Sequence, residues 1–122
     1  MLKRENIRIR DPFIITDKEN GCYYMYGTID LKPSGYSTLP VFSVYKSYDL
    51  ENFEGPKVIF DSSKFDFWAD RDFWAPEVHL YEGKFYIFLS LLGKNGLRGT
   101  EISASNTPDG RFTPISNRPA TP

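Results

Sequence analysis

The chain has 122 residues with 15 Lys or Arg against 16 Asp or Glu, and its formal net charge at pH 7 is −1. This length allows one domain with a sizeable core, and the near balance of charge argues against a nucleic acid or membrane partner held by charge. Cys22 is the single cysteine, which excludes an intramolecular disulfide and a thiol-based metal cluster. No apolar run approaches a membrane span, and the opening MLKREN lacks the apolar core of a signal peptide, so we expect a cytoplasmic protein.

Short strand-like segments separated by turn residues follow one another, and no helical period is long enough to predict a helix. The aromatic share of 16% suits strands whose rings fill a core or stack on flat ligands. Asn-Gly and Glu-Gly steps in TDKENG and YEGK predict hairpin loops, and TPDG predicts a type I turn. The segment SSKFDFWADRD is predicted to be a loop between two groups of four strands. The predicted strands are 11–16, 23–30, 41–48 and 57–61, then 74–81, 85–92, 99–105 and 111–116.

The two groups of strands resemble each other at a period of about 60 residues, as expected for an internal repeat. RDPFIITDKENGCYYMYGT aligns with WAPEVHLYEGKFYIFLS, so Pro12 and Pro76 each occupy the second place of a strand. Repeated four-stranded antiparallel units of this size predict an all-β fold made of β-propeller blades. We expect residues 1–122 to form part of one propeller, with blade I at about 1–63 and blade II at about 74–122. A propeller has about four to eight blades, so the remaining blades are predicted to be missing from this chain.

Four motifs carry a resemblance to a known family. RDPFI opens the first predicted blade, YYMYGT lies on its second strand, SYDLENFEG forms a turn, and FWAPEVHLYEGKFYIFLS opens the second blade. With these motifs, essentially the whole chain resembles the start of a glycoside hydrolase family 43 protein. The resemblance implies a five-bladed β-propeller that degrades arabinan or xylan, of which these 122 residues are about two fifths. It also implies that the general acid and a pKa-adjusting carboxylate lie beyond Pro122, so the chain alone is expected to be inactive.

Asp11 stands at the start of a segment that otherwise reads as a buried strand, RIRDPFII. A carboxylate buried there without a partner would cost several kcal/mol, so we expect Asp11 at the wet end of a strand whose residues 13–15 are dry. By resemblance, Asp11 is the general base of an inverting hydrolysis, which needs a second carboxyl group about 6.5–9.5 Å away. The alternative is a structural role, in which Asp11 accepts backbone hydrogen bonds or pairs with Arg8 or Arg10.

Four further residues are candidates for substrate binding. Trp74 is predicted to occupy the same place in blade II as Asp11 in blade I, where its indole either stacks on a sugar or packs between blades. Glu77 lies about 10 Å further along the strand and is expected deeper in the channel, in contact with substrate or water. Thr28 either lines the pocket or ends its strand, and Arg10 either reaches substrate or is a solvated strand residue. His79 alternates onto the side of Glu77, where a structural imidazole is favoured over a metal ligand.

Other chemistry has little support in the sequence. There is no P-loop, no G-x-G-x-x-G and no G-x-S-x-G elbow, so we expect no cofactor, although an axial cation such as calcium stays open. Trp68 and Phe73 are predicted to pack in the core. The expected partners are an oligosaccharide or polysaccharide and either the missing blades or a second copy of the chain. The alternatives are a non-catalytic glycan-binding module, assembled from two-blade units, and a protein-interaction propeller.

Overall fold

The computed structural model describes residues 1–29, 41–116 and 118–120, which form two antiparallel β-sheets in chain order. The first sheet has the strand order β1-β5-β4-β3-β2 and consists of β1 (Leu2–Lys3), β2 (Ile9–Asp17), β3 (Cys22–Ile29), β4 (Val41–Ser47) and β5 (Asn52–Asp61). The second sheet runs in sequence order and consists of β6 (Ala69–Tyr81), β7 (Lys84–Gly93), β8 (Arg98–Ser105) and β9 (Thr113–Pro114). Within the described residues the helical structure is limited to the 3-10 turns Arg4–Asn6 and Ser62–Lys64, and no helix is long and apolar enough to span a bilayer.

The predicted all-β architecture of two successive antiparallel sheets is confirmed, and β2 to β9 correspond to the eight predicted strands. The first sheet gains a fifth strand, because Leu2 pairs with Phe53 and Lys3 with Asn52. The loop predicted over SSKFDFWADRD is wrong in part, since β6 already begins at Ala69, which pairs with Gly93. A ladder depends on backbone pairing, so it continues through a stretch whose charged side chains read as loop. Asp30, the last residue predicted for the second strand, lies outside the described residues.

The hairpins use the turn chemistry that the sequence predicts. Gly21 has a φ of 64° at the end of the first hairpin, where the Asn20 side chain donates to Asp17 Oδ2 at 2.8 Å. Glu82 and Gly83 have φ values of 49° and 80°, the left-handed pair that a tight hairpin turn requires. These turns fix the register of β2 against β3 and of β6 against β7. They therefore set which residues of β3 and β7 lie beside each residue of β2 and β6, the innermost strands of the two sheets.

One hydrophobic cluster joins the two sheets. Tyr26 of β3, Phe60 of β5 and Ile87 of β7 belong to it and are fully or almost fully buried. Burying a large apolar side chain in this way stabilises a fold by about 1.5–3 kcal/mol. Two hydrogen bonds also join the first sheet to the segment between β8 and β9. The Tyr26 hydroxyl donates to the Pro108 carbonyl, and Phe112 N donates to the Ile59 carbonyl at 2.7 Å. The packing holds β2 and β6 next to each other, and the candidate site lies along these two strands.

Candidate active site

A cleft of about 460 Å³ runs between the innermost strands of the two sheets. Residues 11–13 of β2 and residues 75–77 of β6 form its two sides, and Ser90 of β7 and Thr100 of β8 contribute hydroxyl groups. Its volume falls in the range of about 300–1,000 Å³ typical of sites for small molecules. The cleft brings the candidate residues Asp11 and Glu77 into one lining, and the role of each stays a prediction.

The backbone has the same unusual conformation on both sides of the cleft. Asp11 and Ala75 have φ values of 50° and 48°, and each directly precedes a proline. Each also lies in a register shift, between Arg10 and Phe13 in one sheet and between Trp74 and Glu77 in the other. A left-handed residue other than glycine costs roughly 1–2 kcal/mol, and a bulge redirects the side chain that it carries. This repeated bulge presents the exposed Asp11 carboxylate to the cleft.

The predicted equivalence of Asp11 and Trp74 is wrong by one residue. Each bulge contains the left-handed residue that precedes the proline. Ala75 in the second sheet is therefore the equivalent of Asp11 in the first, and Trp74 is the equivalent of Arg10. Arg10 pairs with Thr28 in the first sheet, and Trp74 pairs with Ser90 in the second. One step along a strand reverses the side to which a side chain points, so the offset changes the surroundings of the indole. The Thr28 side chain is outside the described part of the structure, and its candidate role in the pocket stays a prediction.

The predicted dry strand behind Asp11 is also wrong. β2 is the edge strand of its sheet, and Ile14 on it is 47% exposed. Phe13 and Ile15 are half-buried and pack against the core cluster from its margin. The physical reason is that an innermost strand bordering an open cleft has a covered face and an uncovered face. Asp11 is exposed within residues 11–13, the part of β2 that lines the cleft.

Trp74 lies beside the cleft with one face of its indole covered. The Arg98 guanidinium carbon is 3.7 Å from the centre of the Trp74 ring, and Arg98 Nη1 donates to Ser90 Oγ at 3.1 Å. Trp74 Nε1 is buried and has no hydrogen-bond partner among the described residues. The ring is thus held by a cation–π contact on one side, and its neighbours Ala75 and Ser90 both line the cleft. The two predicted roles, packing and sugar stacking, both stay open for this geometry.

Glu77 and His79 lie on one side of β6, as their spacing predicts. Glu77 Oε2 is 3.7 Å from His79 Nε2, and both side chains are mostly exposed. The His79 ring lies 5.8 Å from the rings of Phe13 in the first sheet and Phe88 in the second, so it bridges the innermost strands. Among residues 1–29, 41–116 and 118–120, no group of three or more acidic, His or Cys side chains is placed to share a metal ion. The axial cation therefore stays a prediction.

Glu101, which no sequence motif singles out, is a carboxylate that is 0% exposed in the middle of β8. Its Oε2 accepts a hydrogen bond from Trp68 Nε1 at 2.9 Å. Burial raises the pKa of Glu101 to about 7, and the hydrogen bonds from Trp68 and from the backbone of Ser116 only partly oppose that rise. The predicted packing role of Trp68 is confirmed, since its ring lies against the core cluster. The Phe73 side chain lies outside the described part.

Comparisons with known proteins agree with this architecture. Residues 6–121 match the sequence profile of the glycosyl hydrolases family 43. The crystal structure of an endo-arabinase from Bacteroides thetaiotaomicron is 37% identical, with a TM-score of 0.82 over 100% of this chain and 39% of its own. An endo-1,4-beta-xylanase structure from the same organism is 30% identical, with a TM-score of 0.66 over 93% of this chain and 35% of its own. The xylosidase/arabinosidase 43A of Humicola insolens is 32% identical over 47 residues, which are 38% of this chain and 14% of that protein.

Two consecutive antiparallel sheets with a cleft along their innermost strands define the fold class of the chain. They are successive blades of a β-propeller. The chain belongs to the glycosyl hydrolases family 43. It spans 39% of the length of the endo-arabinase that it resembles.

Proposed function

We propose that this chain supplies the general base and part of the sugar pocket of an inverting glycoside hydrolase acting on arabinose- or xylose-containing glycans. The observation that carries the proposal is the Asp11 carboxylate, exposed in the cleft on a strained bulge in a chain of family 43. Strained backbone is concentrated at functional sites because the surrounding structure must hold it. The names of the endo-arabinase and of the xylosidase/arabinosidase support the choice of pentose glycans.

In the proposed reaction, Asp11 accepts a proton from a water molecule while the water oxygen attacks the anomeric carbon. The glycosidic bond breaks on the opposite face, and the leaving oxygen takes a proton from a general acid. We expect that acid and the carboxylate that adjusts its pKa beyond residue 122. Glu77, which lines the cleft next to the proline of the second bulge, contacts substrate or ordered water in this arrangement. Asp11 must be ionised to act as the base.

A second candidate function is glycan binding without turnover. The observation that favours it for the isolated chain is that Glu77, the other carboxylate in the described lining of the cleft, is mostly exposed and lies 3.7 Å from His79 Nε2. In this reading the cleft recognises the same sugars, and no proton donor completes the reaction. The chain would then act with other blades or with a second copy as an assembled module.

The stereochemistry of the first product tests the proposal. We expect the full-length protein that contains this chain to release a sugar of inverted anomeric configuration from arabino- or xylo-oligosaccharides, because water attacks directly. The measurement is ¹H NMR of the anomeric proton during the first minutes of hydrolysis. The isolated 122-residue chain should bind the same oligosaccharides without cleaving them. A retained configuration would exclude Asp11 as a base of this kind, and binding without hydrolysis by the full-length protein would favour the binding module.

The variant Trp74→Ala tests whether the indole contacts the sugar. We expect the free energy of oligosaccharide binding to weaken by about 0.5–1.5 kcal/mol, the range for a lost aromatic contact, with a smaller effect on the chemical step. Isothermal titration calorimetry measures the affinity, and Tyr81→Ala is the control because Tyr81 is an exposed aromatic residue at the other end of β6. Unchanged affinity in Trp74→Ala would assign Trp74 to packing against Arg98 alone.

A further inference from the structure

A second groove, of about 530 Å³, lies beside Trp68 at the end of the second sheet that carries the β7–β8 turn. Its described lining has three apolar and three polar side chains, and most of the surface that it presents to the groove is apolar. The apolar side chains are Trp68, Leu97 and Pro119, and the polar ones are Lys94, Asn95 and Arg98. An aromatic ring with nearby amide and cationic donors suits a sugar, which has apolar ring faces and hydroxyl edges. Neither the sequence motifs nor the proposed chemistry at Asp11 uses this groove.

Trp68 is held in place before any ligand binds. Its Nε1 donates to the buried Glu101 carboxylate at 2.9 Å, and its carbonyl accepts from Lys94 N at 2.9 Å. Its ring also contacts Phe67, with 5.7 Å between ring centres. The side chain is half-buried, so part of the ring remains available at the groove. A preorganised aromatic surface binds with little loss of conformational entropy.

The turn beside Trp68 is equally well defined. Gly93 N donates to the Leu97 carbonyl at 2.8 Å, and Leu97 N donates to Asn95 Oδ1 at 3.0 Å. The Asn95 oxygen is therefore used inside the turn, and its amide nitrogen is the group that remains to donate to a ligand. Leu97 is 69% exposed although it is apolar. An apolar side chain held out by a rigid turn next to an indole forms the second wall of the groove.

Arg98 connects this groove to the cleft that holds Asp11. It lines the groove, its guanidinium covers Trp74, and its Nη1 donates to Ser90 Oγ, which lines the cleft. Arg98 thus lines the groove and contacts a residue of the cleft lining. We propose that the Trp68 groove is a distal subsite that binds the extension of the pentose chain whose reacting end occupies the cleft. This inference rests on the proposed function and adds a place in this chain for the part of the substrate beyond the reacting sugar.

Affinity as a function of oligosaccharide length tests the subsite. The probes are arabino- and xylo-oligosaccharides of increasing length, from the disaccharide upward, titrated into the full-length protein with Asp11→Asn so that no turnover interferes. The double variant Leu97→Ala with Lys94→Ala removes two side chains that line the groove. The backbone hydrogen bonds of both residues remain, so the turn should keep its shape. Its matched control is Leu80→Ala with Lys84→Ala, because Leu80 is 63% exposed and both residues flank the hairpin at the opposite end of the same sheet.

We expect the gain in affinity from the disaccharide to the longest oligosaccharide to fall about three- to tenfold in the groove variant and to persist in the control. Trp68→Ala should reduce the same gain, with circular dichroism checking that the protein is folded. The inference is overturned if the wild-type affinity does not depend on length, or if groove and control variants behave alike. Failure of the proposed function gives results distinct from failure of the subsite. Asp11→Asn would then retain full hydrolytic activity, or the protein would bind no oligosaccharide of any length.

Discussion

Replacing Asp11 by Asn in the full-length protein is expected to lower the rate of hydrolysis by about 10²–10⁴-fold, the range for loss of general-base assistance. Asn keeps the size of the side chain and is tolerated at a φ of 50°, so the bulge should survive the substitution. Oligosaccharide binding should persist, because the shape of the cleft is kept while its proton acceptor is lost. The measurement compares kcat on an arabinoside and xyloside panel with the dissociation constant from calorimetry.

Asp66→Asn is a suitable control for this substitution. Asp66 is an exposed aspartate that does not line the cleft, and its variant should retain the rate of the wild type. If Asp11→Asn has near-normal activity, Asp11 has a structural role in the bulge. The binding module would then be the better description of this chain.

The stability of the fold is expected to decrease as the pH rises from about 5 to about 8, because of Glu101. Burial raises the pKa of this carboxyl group from 4.5 to about 7, so the folded state holds its proton more tightly than the unfolded state does. The resulting stabilisation of the folded state is fully present below about pH 4.5 and is lost as the pH rises through about 7. A difference of this size corresponds to up to about 3 kcal/mol of unfolding free energy.

The variant Glu101→Gln isolates this effect. Gln stays neutral and can still accept the hydrogen bond from Trp68 Nε1, so the variant should be more stable than the wild type at pH 8 and similar to it at pH 5. Thermal or urea unfolding at the two pH values measures the difference. Glu54→Gln is the control, because Glu54 is an exposed glutamate on β5. Parallel pH profiles for wild type and Glu101→Gln would show that Glu101 does not titrate in this range.

The strands and hairpins were predictable because their signals are local. Turn residues such as Asn20 and Gly21 require particular backbone angles, and the repeat placed Pro12 and Pro76 at equivalent positions. The bulge before each proline could not be predicted in the same way, since Asp and Ala share no property that specifies a left-handed residue. The alignment of Pro12 with Pro76 nevertheless already makes Ala75 the equivalent of Asp11, so the prediction that equated Trp74 with Asp11 departs from the repeat by one residue.

The buried face of β8 was equally hard to predict. In RGTEISAS, alternation alone favours burying Ile102 and exposing Glu101. The structure instead buries Glu101 fully and leaves Ile102 half-buried, because Glu101 pairs with Leu89 and Ser103 pairs with Ile87, and this side of the second sheet is the buried one. The packing of one sheet on the other determines which face of β8 is buried, and the sequence of that strand alone does not contain this information.

The paired bulges at Asp11 and Ala75 mean that the backbone, and not the residue type, determines which side chains border the cleft. An aspartate at position 75 would therefore be held in nearly the same conformation as the one at position 11. A repeat of this kind contains equivalent backbone positions in successive blades, and a single substitution can introduce a carboxylate at any of them. Reactive groups can then be redistributed between blades during evolution, or by protein engineering, without rebuilding the scaffold.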